Sequence, residues 1–138
     1  MLLARLLTFN GSAILLLGLL CGWPYARALV RPKSEISLNA WRVAHLSLPI
    51  AAILLFALIA VLPLLQLSGT AAAWMVLSFI ASGYAFAIAL VSGAWYGVRG
   101  LTFKPPLANR VVYVGNMVGA VLSLLGSILL VWGAYAAL

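Results

Sequence analysis

Four apolar stretches, each longer than a soluble core helix needs, constrain this chain more than any other feature. They fall at about residues 6–29, 40–65, 70–98 and 108–138, and the few arginines inside them stand close to an end. Each exceeds the ~20 residues with which an α-helix crosses a hydrocarbon core of ~30 Å. Backbone hydrogen bonds must be satisfied inside each segment when the solvent is lipid, so the spans are helical. The sequence therefore predicts an all-α integral membrane protein, a single four-transmembrane-helix bundle over residues 1–138 with almost nothing left for an extramembrane domain. The first stretch follows Arg5 as a signal peptide would. It lacks a small-x-small cleavage site, and Leu20 before Cys21 is a poor lipoprotein processing site, so it reads as a retained first helix.

Charge sets the expected orientation. Of eight basic residues, seven (Arg27, Arg31, Lys33, Arg42, Arg99, Lys104 and Arg110) lie in or beside the first and third connections, while the second, around Gln66 to Gly69, carries none. The positive-inside rule makes that side cytoplasmic and puts both termini outside, in a bacterial inner membrane; Arg5 alone runs against it. Trp23, Tyr25, Trp41, Trp95, Tyr96 and Tyr113 mark the basic boundary, and Trp74, Trp132 and Tyr135 the other. The net charge of +7 is not interleaved with aromatics as a nucleic-acid surface would be, so membrane lipid is the expected partner and nucleic acid is not.

Small residues recur at every fourth position, at Ala81, Ala85, Ala89, Gly93 and Gly97 and again at Gly115, Gly119, Ser123 and Ser127. Such stripes let helix backbones approach in lipid. Whether they join helices of one protomer or of several stays open at this level.

Chemistry is sparsely provided. Glu35, the one acidic residue, belongs to a connection, which removes buried-acid proton coupling, paired-carboxylate catalysis and carboxylate-rich metal sites. Cys21 is the one cysteine, so a disulfide, a cysteine zinc site and a Cys-x-x-Cys-His haem attachment are all excluded. His45 is the one histidine. Arg42 precedes it by three residues on the same helical face, and Pro49 follows by four, unable to donate to the His45 carbonyl, so that a kink is expected there. A lone imidazole cannot build a zinc site but suffices as an axial ligand to haem iron. The alternative is an interfacial histidine bonded to a carbonyl or a headgroup, with Arg42 a snorkelling anchor. Asn10, Ser12, Ser47, Ser78, Ser82, Ser92, Tyr113 and Asn116 are polar groups within the spans that could orient a ligand, but they are expected mainly to bond between helices.

At Ala40-Trp41-Arg42-Val43-Ala44-His45-Leu46-Ser47 and at Arg99-Gly100-Leu101-Thr102-Phe103, the chain resembles the styrene oxide isomerases. Leu15-Leu16-Leu17-Gly18-Leu19-Leu20, Arg31-Pro32 and Ala44-His45-Leu46 also resemble the hydroxylaminobenzene mutases. The resemblance implies a homotrimer that binds haem b, with His45 as the axial metal ligand; Arg42, one turn away on the same helical face, is then expected as a further cofactor-binding residue near a propionate. In those isomerases ferric haem acts as a Lewis acid on the epoxide oxygen, the benzylic C–O bond opens, and a hydride shift gives an aldehyde without net redox change. The expected function is accordingly a haem b-dependent isomerase or mutase that rearranges a small apolar aromatic epoxide or hydroxylamine. Three positions depart from the isomerase pattern: Ala51 stands for an asparagine, Ser82 for an aspartate on the third span and Leu90 for a tyrosine. The polar groups that orient substrate in the family are thus missing where the resemblance would put them. Two other readings are a non-catalytic haem-binding membrane protein and a trimeric enzyme similar to the membrane glutathione transferases.

Overall fold

A computed structural model describes residues 1–31 and 34–138; Pro32 and Lys33, which belong to the first basic connection, lie outside the described residues. The helices are α1 (Leu2–Leu20), α2 (Gly22–Val30), α3 (Glu35–Val61), α4 (Gly69–Tyr96) and α5 (Leu107–Tyr135), with one 3-10 turn over Leu62–Leu64. Four segments are long and apolar enough to cross a membrane, α1 and α2 counting together as the first. Their outward surface is apolar, with Leu16, Ile50, Ile53, Leu77, Ile88, Val121 and Leu124 among the exposed side chains. A water-soluble fold would hide those residues.

The first span is broken where the apolar pattern runs on without a sign of it. α1 stops at Leu20, and α2 starts at Gly22 after a turn at Cys21. Pro24 is the physical cause: it has no N–H to offer the Leu20 carbonyl, and its ring collides with that carbonyl in a continuous helix. Pro49, where the sequence predicts an opening, lies inside the continuous α3. Ser34 and Ser68 cap α3 and α4, their hydroxyls accepting from the N–H groups of Ser37 and Ala71. Gly97, at φ 67°, ends α4 in the left-handed conformation that glycine adopts without a Cβ penalty.

Packing runs in a row, α1 on α3, α3 on α4 and α4 on α5, and α4 is the most enclosed of the spans. On α1 the buried residues Leu7, Gly11, Ile14 and Gly18 alternate steps of four and three, the seam of two helices that stay side by side over their length. Gly11 faces the Phe56 ring, and Gly18 faces Leu48 and Pro49 on α3. Tyr84 Oη on α4 donates to Asn10 Oδ1 on α1 at 2.9 Å, one of the interhelical bonds expected of the intramembrane polar groups.

The α4–α5 contact corrects the four-residue stripe on the last helix. Buried on α5 are Val112, Gly119, Gly126 and Gly133, one in every seven. Opposite them, Phe86 fills the notch at Gly119, Phe79 the notch at Gly126 and Leu67 the notch at Gly133, while Val112 closes on Gly93. Gly115 does pack on Ala85 and Ala89. Ser123 and Ser127, however, turn back on their own helix and donate to the Ala120 and Ser123 carbonyls. Two long helices running nearly antiparallel keep one seam in register every seven residues, whereas a four-residue stripe drifts off that seam and suits a shorter crossing.

Candidate functional site

His45 projects from the second turn of α3's apolar run toward the break in the first span. Its Nδ1 lies 2.9 Å from the Gly18 carbonyl oxygen, a bond joining residues 27 apart in sequence. Gly18 is in the last turn of α1, where carbonyls lose their regular intrahelical partners, so the imidazole satisfies a group that the Pro24 break would otherwise strand. The carbonyl can only accept, so Nδ1 donates, and in a neutral ring the lone pair is then on Nε2. Glycine is required nearby: a Cβ on Gly22 would stand 3.0 Å from the ring carbon Cε1, and one on Gly18 would overlap Pro49 Cδ. Tyr25 of α2 lies beside the imidazole, ring centroids 6.0 Å apart and planes tilted by 32°.

Among the described residues no buried side-chain nitrogen or oxygen lacks a partner. Nε2 makes no hydrogen bond to the protein and is not fully buried. The arrangement fits a haem ligand: an imidazole whose Nδ1 is held by a backbone carbonyl while Nε2 has no protein partner. It also contains the bland alternative, since the histidine is indeed bonded to a carbonyl. The two readings differ in the use of Nε2 alone. Among the described residues no three His, Cys, Asp or Glu side chains gather to hold a bare metal ion, a limit that does not apply to iron already held by a porphyrin.

Arg42 makes its side-chain hydrogen bond within its own helix. It is exposed, and its Nη2 donates to Asn39 Oδ1 at 2.8 Å, one turn back toward the start of α3. The three positions at which the resemblance shows departures each have their own surroundings. Ala51 is half-buried on α3. Ser82 is buried between α4 and α5, its hydroxyl donating to the Gly119 carbonyl at 2.8 Å. A carboxylate there would face that acceptor, so this chain's helix packing selects a donor at position 82. Leu90 lines a cavity of about 280 Å³ at the basic end of the bundle, between the start of α3, the end of α4 and the start of α5. The same cavity holds Asn39, Arg99 and Asn116, none of which the resemblance assigns a role.

The Arg-Gly-Leu-Thr-Phe segment is a built loop. Asn109 on α5 ties it, its Oδ1 accepting from Gly100 N at 3.0 Å and its Nδ2 donating to the Thr102 and Lys104 carbonyls at 2.7 and 3.0 Å. Gly100, at φ 59°, lies so close to α5 that a Cβ would come within 2.6 Å of Tyr113 N. Phe103 stands edge-on to Tyr113 and beneath the Arg110 guanidinium, 5.2 Å from the ring centroid. Asn109 was not legible as a site residue; its one signal is an amide side chain in the first turn of a helix behind a Gly-containing loop, where such groups tie turns.

No curated protein matches the chain. The family model described as Styrene oxide isomerase matches residues 3–135, nearly its whole length and including His45 and the Asn109-tied loop. The chain belongs to the styrene oxide isomerase family.

Proposed function

We propose that this protein is a haem b-dependent membrane isomerase that converts a small apolar aromatic epoxide, or a related aryl hydroxylamine, by a rearrangement in which every atom is retained. The observation that carries the reading is the His45 Nδ1 bond to Gly18, which leaves Nε2 without a protein partner in a chain of this family. The chemistry supplied by haem b, when bound, is Lewis-acid polarisation of the substrate oxygen, a task for which the chain has no buried acid of its own. His45 would hold the iron through Nε2. Gly18 fixes the ring's tautomer and Gly22 leaves it room. Arg42 and Arg27, both exposed on neighbouring helices at the same end, supply positive charge for the porphyrin carboxylates.

Because a lone protomer of four spans is a thin bundle, a porphyrin held by His45 is best enclosed between copies, and the assembly proposed is a homotrimer. Its mass in mild detergent, measured with cofactor bound, is expected to be three times that of the chain; a monomeric holoprotein would contradict it. Substrate would enter from the bilayer across the apolar outer surface. With Ala51, Ser82 and Leu90 in place of the family's polar residues, it would be oriented chiefly by shape, and turnover is expected to be weak.

The test is to offer styrene oxide and hydroxylaminobenzene to haem-loaded protein in its ferric and ferrous states. Ferric protein is expected to yield the aldehyde from the epoxide. Conversion of neither compound by protein that holds haem would favour the non-catalytic haem-binding reading. The family match favours the isomerase over the reading similar to the membrane glutathione transferases.

A further inference from the structure

A groove runs along the α4–α5 pair on the side away from Leu90. It is lined by Ala85 and Ile88 on α4, by Phe103 of the loop and by α5 from Leu107 to Val118, and it shares no residue with the cavity that holds Leu90. At 3.6 residues per turn Ile88 lies about 160° around α4 from Leu90, and Val114 lies about as far around α5 from Asn116. The floor is the close contact of Gly115 with the Ala85 backbone, two small residues between the taller Ile88, Val111 and Val114. Its volume is about 530 Å³.

The groove has a cationic head. Arg110 lines it at the loop end, its guanidinium 5.2 Å from the centroid of the Phe103 ring, and Phe103 stands edge-on to Tyr113 in the loop that Asn109 ties. An aromatic face steers a guanidinium without consuming its N–H donors, which stay available to an acceptor from outside. No lining residue is acidic, and the chain's one carboxylate side chain, Glu35, heads α3, whereas α5 packs on α4. Length decides between occupants. The rise from Leu107 to Val118 is about 16 Å at ~1.5 Å per residue, roughly half of a ~30 Å hydrocarbon core. A spanning helix of another copy would need a groove about twice as long, while a lipid of one leaflet needs this depth and a cation at its headgroup level.

We propose that this groove binds an anionic phospholipid of the leaflet on the basic side, its phosphate on Arg110 and one acyl chain along Val111, Val114 and Val118. The site involves neither His45 nor turnover.

The experiment is native mass spectrometry of delipidated protein in mild detergent, titrated with dioleoyl phosphatidylglycerol or dioleoyl phosphatidylcholine. The first phosphatidylglycerol is expected to bind at least about fivefold more tightly than phosphatidylcholine, and Arg110→Gln, at an exposed position, is expected to remove that preference. Val118→Phe, also at an exposed position, obstructs the deep end of the groove. It is expected to weaken dioleoyl phosphatidylglycerol several-fold and to leave dihexanoyl phosphatidylglycerol, whose chains stop short of that depth, unchanged; it stands in if Arg110→Gln does not fold. Arg5→Gln, also exposed but at the opposite end of the first span, should change nothing. Equal binding of the two dioleoyl lipids by the wild type, an effect of Arg5→Gln as large as that of Arg110→Gln, or indifference of the long-chain lipid to Val118→Phe would each overturn the proposal. So would a Val118→Phe protein that changes its oligomeric mass while binding lipid as before, since the groove would then be a contact between copies.

Discussion

Replacing His45 with alanine is expected to abolish haem retention while leaving a folded protein. The imidazole is half-buried and bonded to a helix-end carbonyl, so its loss strands the Gly18 oxygen at a cost of about 1–3 kcal/mol, a fraction of the packing along the α1–α3 seam. The only imidazole in the chain goes with it. The Soret band should vanish, while far-ultraviolet circular dichroism and the elution position in detergent stay as in the wild type. A Soret band that survives unchanged would remove His45 from the iron and leave it as an interfacial side chain.

A second large effect is expected far less obviously, at Gly18. Even an alanine there puts its Cβ against Pro49 Cδ and within 2.9 Å of Leu48 Cβ, on a ring and a backbone-proximal carbon that cannot swing away. α1 must move off α3. Overpacking of this kind costs about 1–3 kcal/mol and sometimes more, and the movement also withdraws the carbonyl that orients His45. Gly18→Ala should therefore lower the unfolding midpoint in detergent and accelerate haem loss together, although no side chain of the site has been altered. Gly18→Ala combined with Pro49→Ala, which removes the obstructing ring, should recover much of both. If the single variant retains haem as the wild type does, the Gly18 carbonyl has no part in positioning the ligand.

The four spans were legible because twenty-residue apolar runs admit few alternatives in lipid. His45 drew attention in the sequence because it is the one imidazole in the chain. What escaped were features set by relations across helices. The break at Cys21 depended on Pro24, which an apolar pattern passes over, while the more conspicuous Pro49 lies within a continuous α3. The partner of His45 is a backbone atom 27 residues away, which side-chain identity cannot reveal. The stripe on α5 was read at a spacing of four, and the true seam repeats at seven because α4 and α5 run side by side for their full length. Ser82 could be aligned with a family aspartate, yet its hydroxyl is committed to the Gly119 carbonyl inside the α4–α5 contact. The cavity that collects Asn39, Arg99 and Asn116 draws on three helices and a loop, and no local motif announces it.

The central claim is that haem held by His45 carries the isomerisation, and one titration addresses it. Apoprotein is reconstituted with increasing ferric haem b, and the initial rate of aldehyde formation from styrene oxide is plotted against the Soret absorbance of bound haem. The expected result is a rate that begins at zero, rises in proportion to the bound fraction and levels off when the sites are filled. A rate already present without haem, or one that stays at zero when the Soret band is complete, would contradict the account.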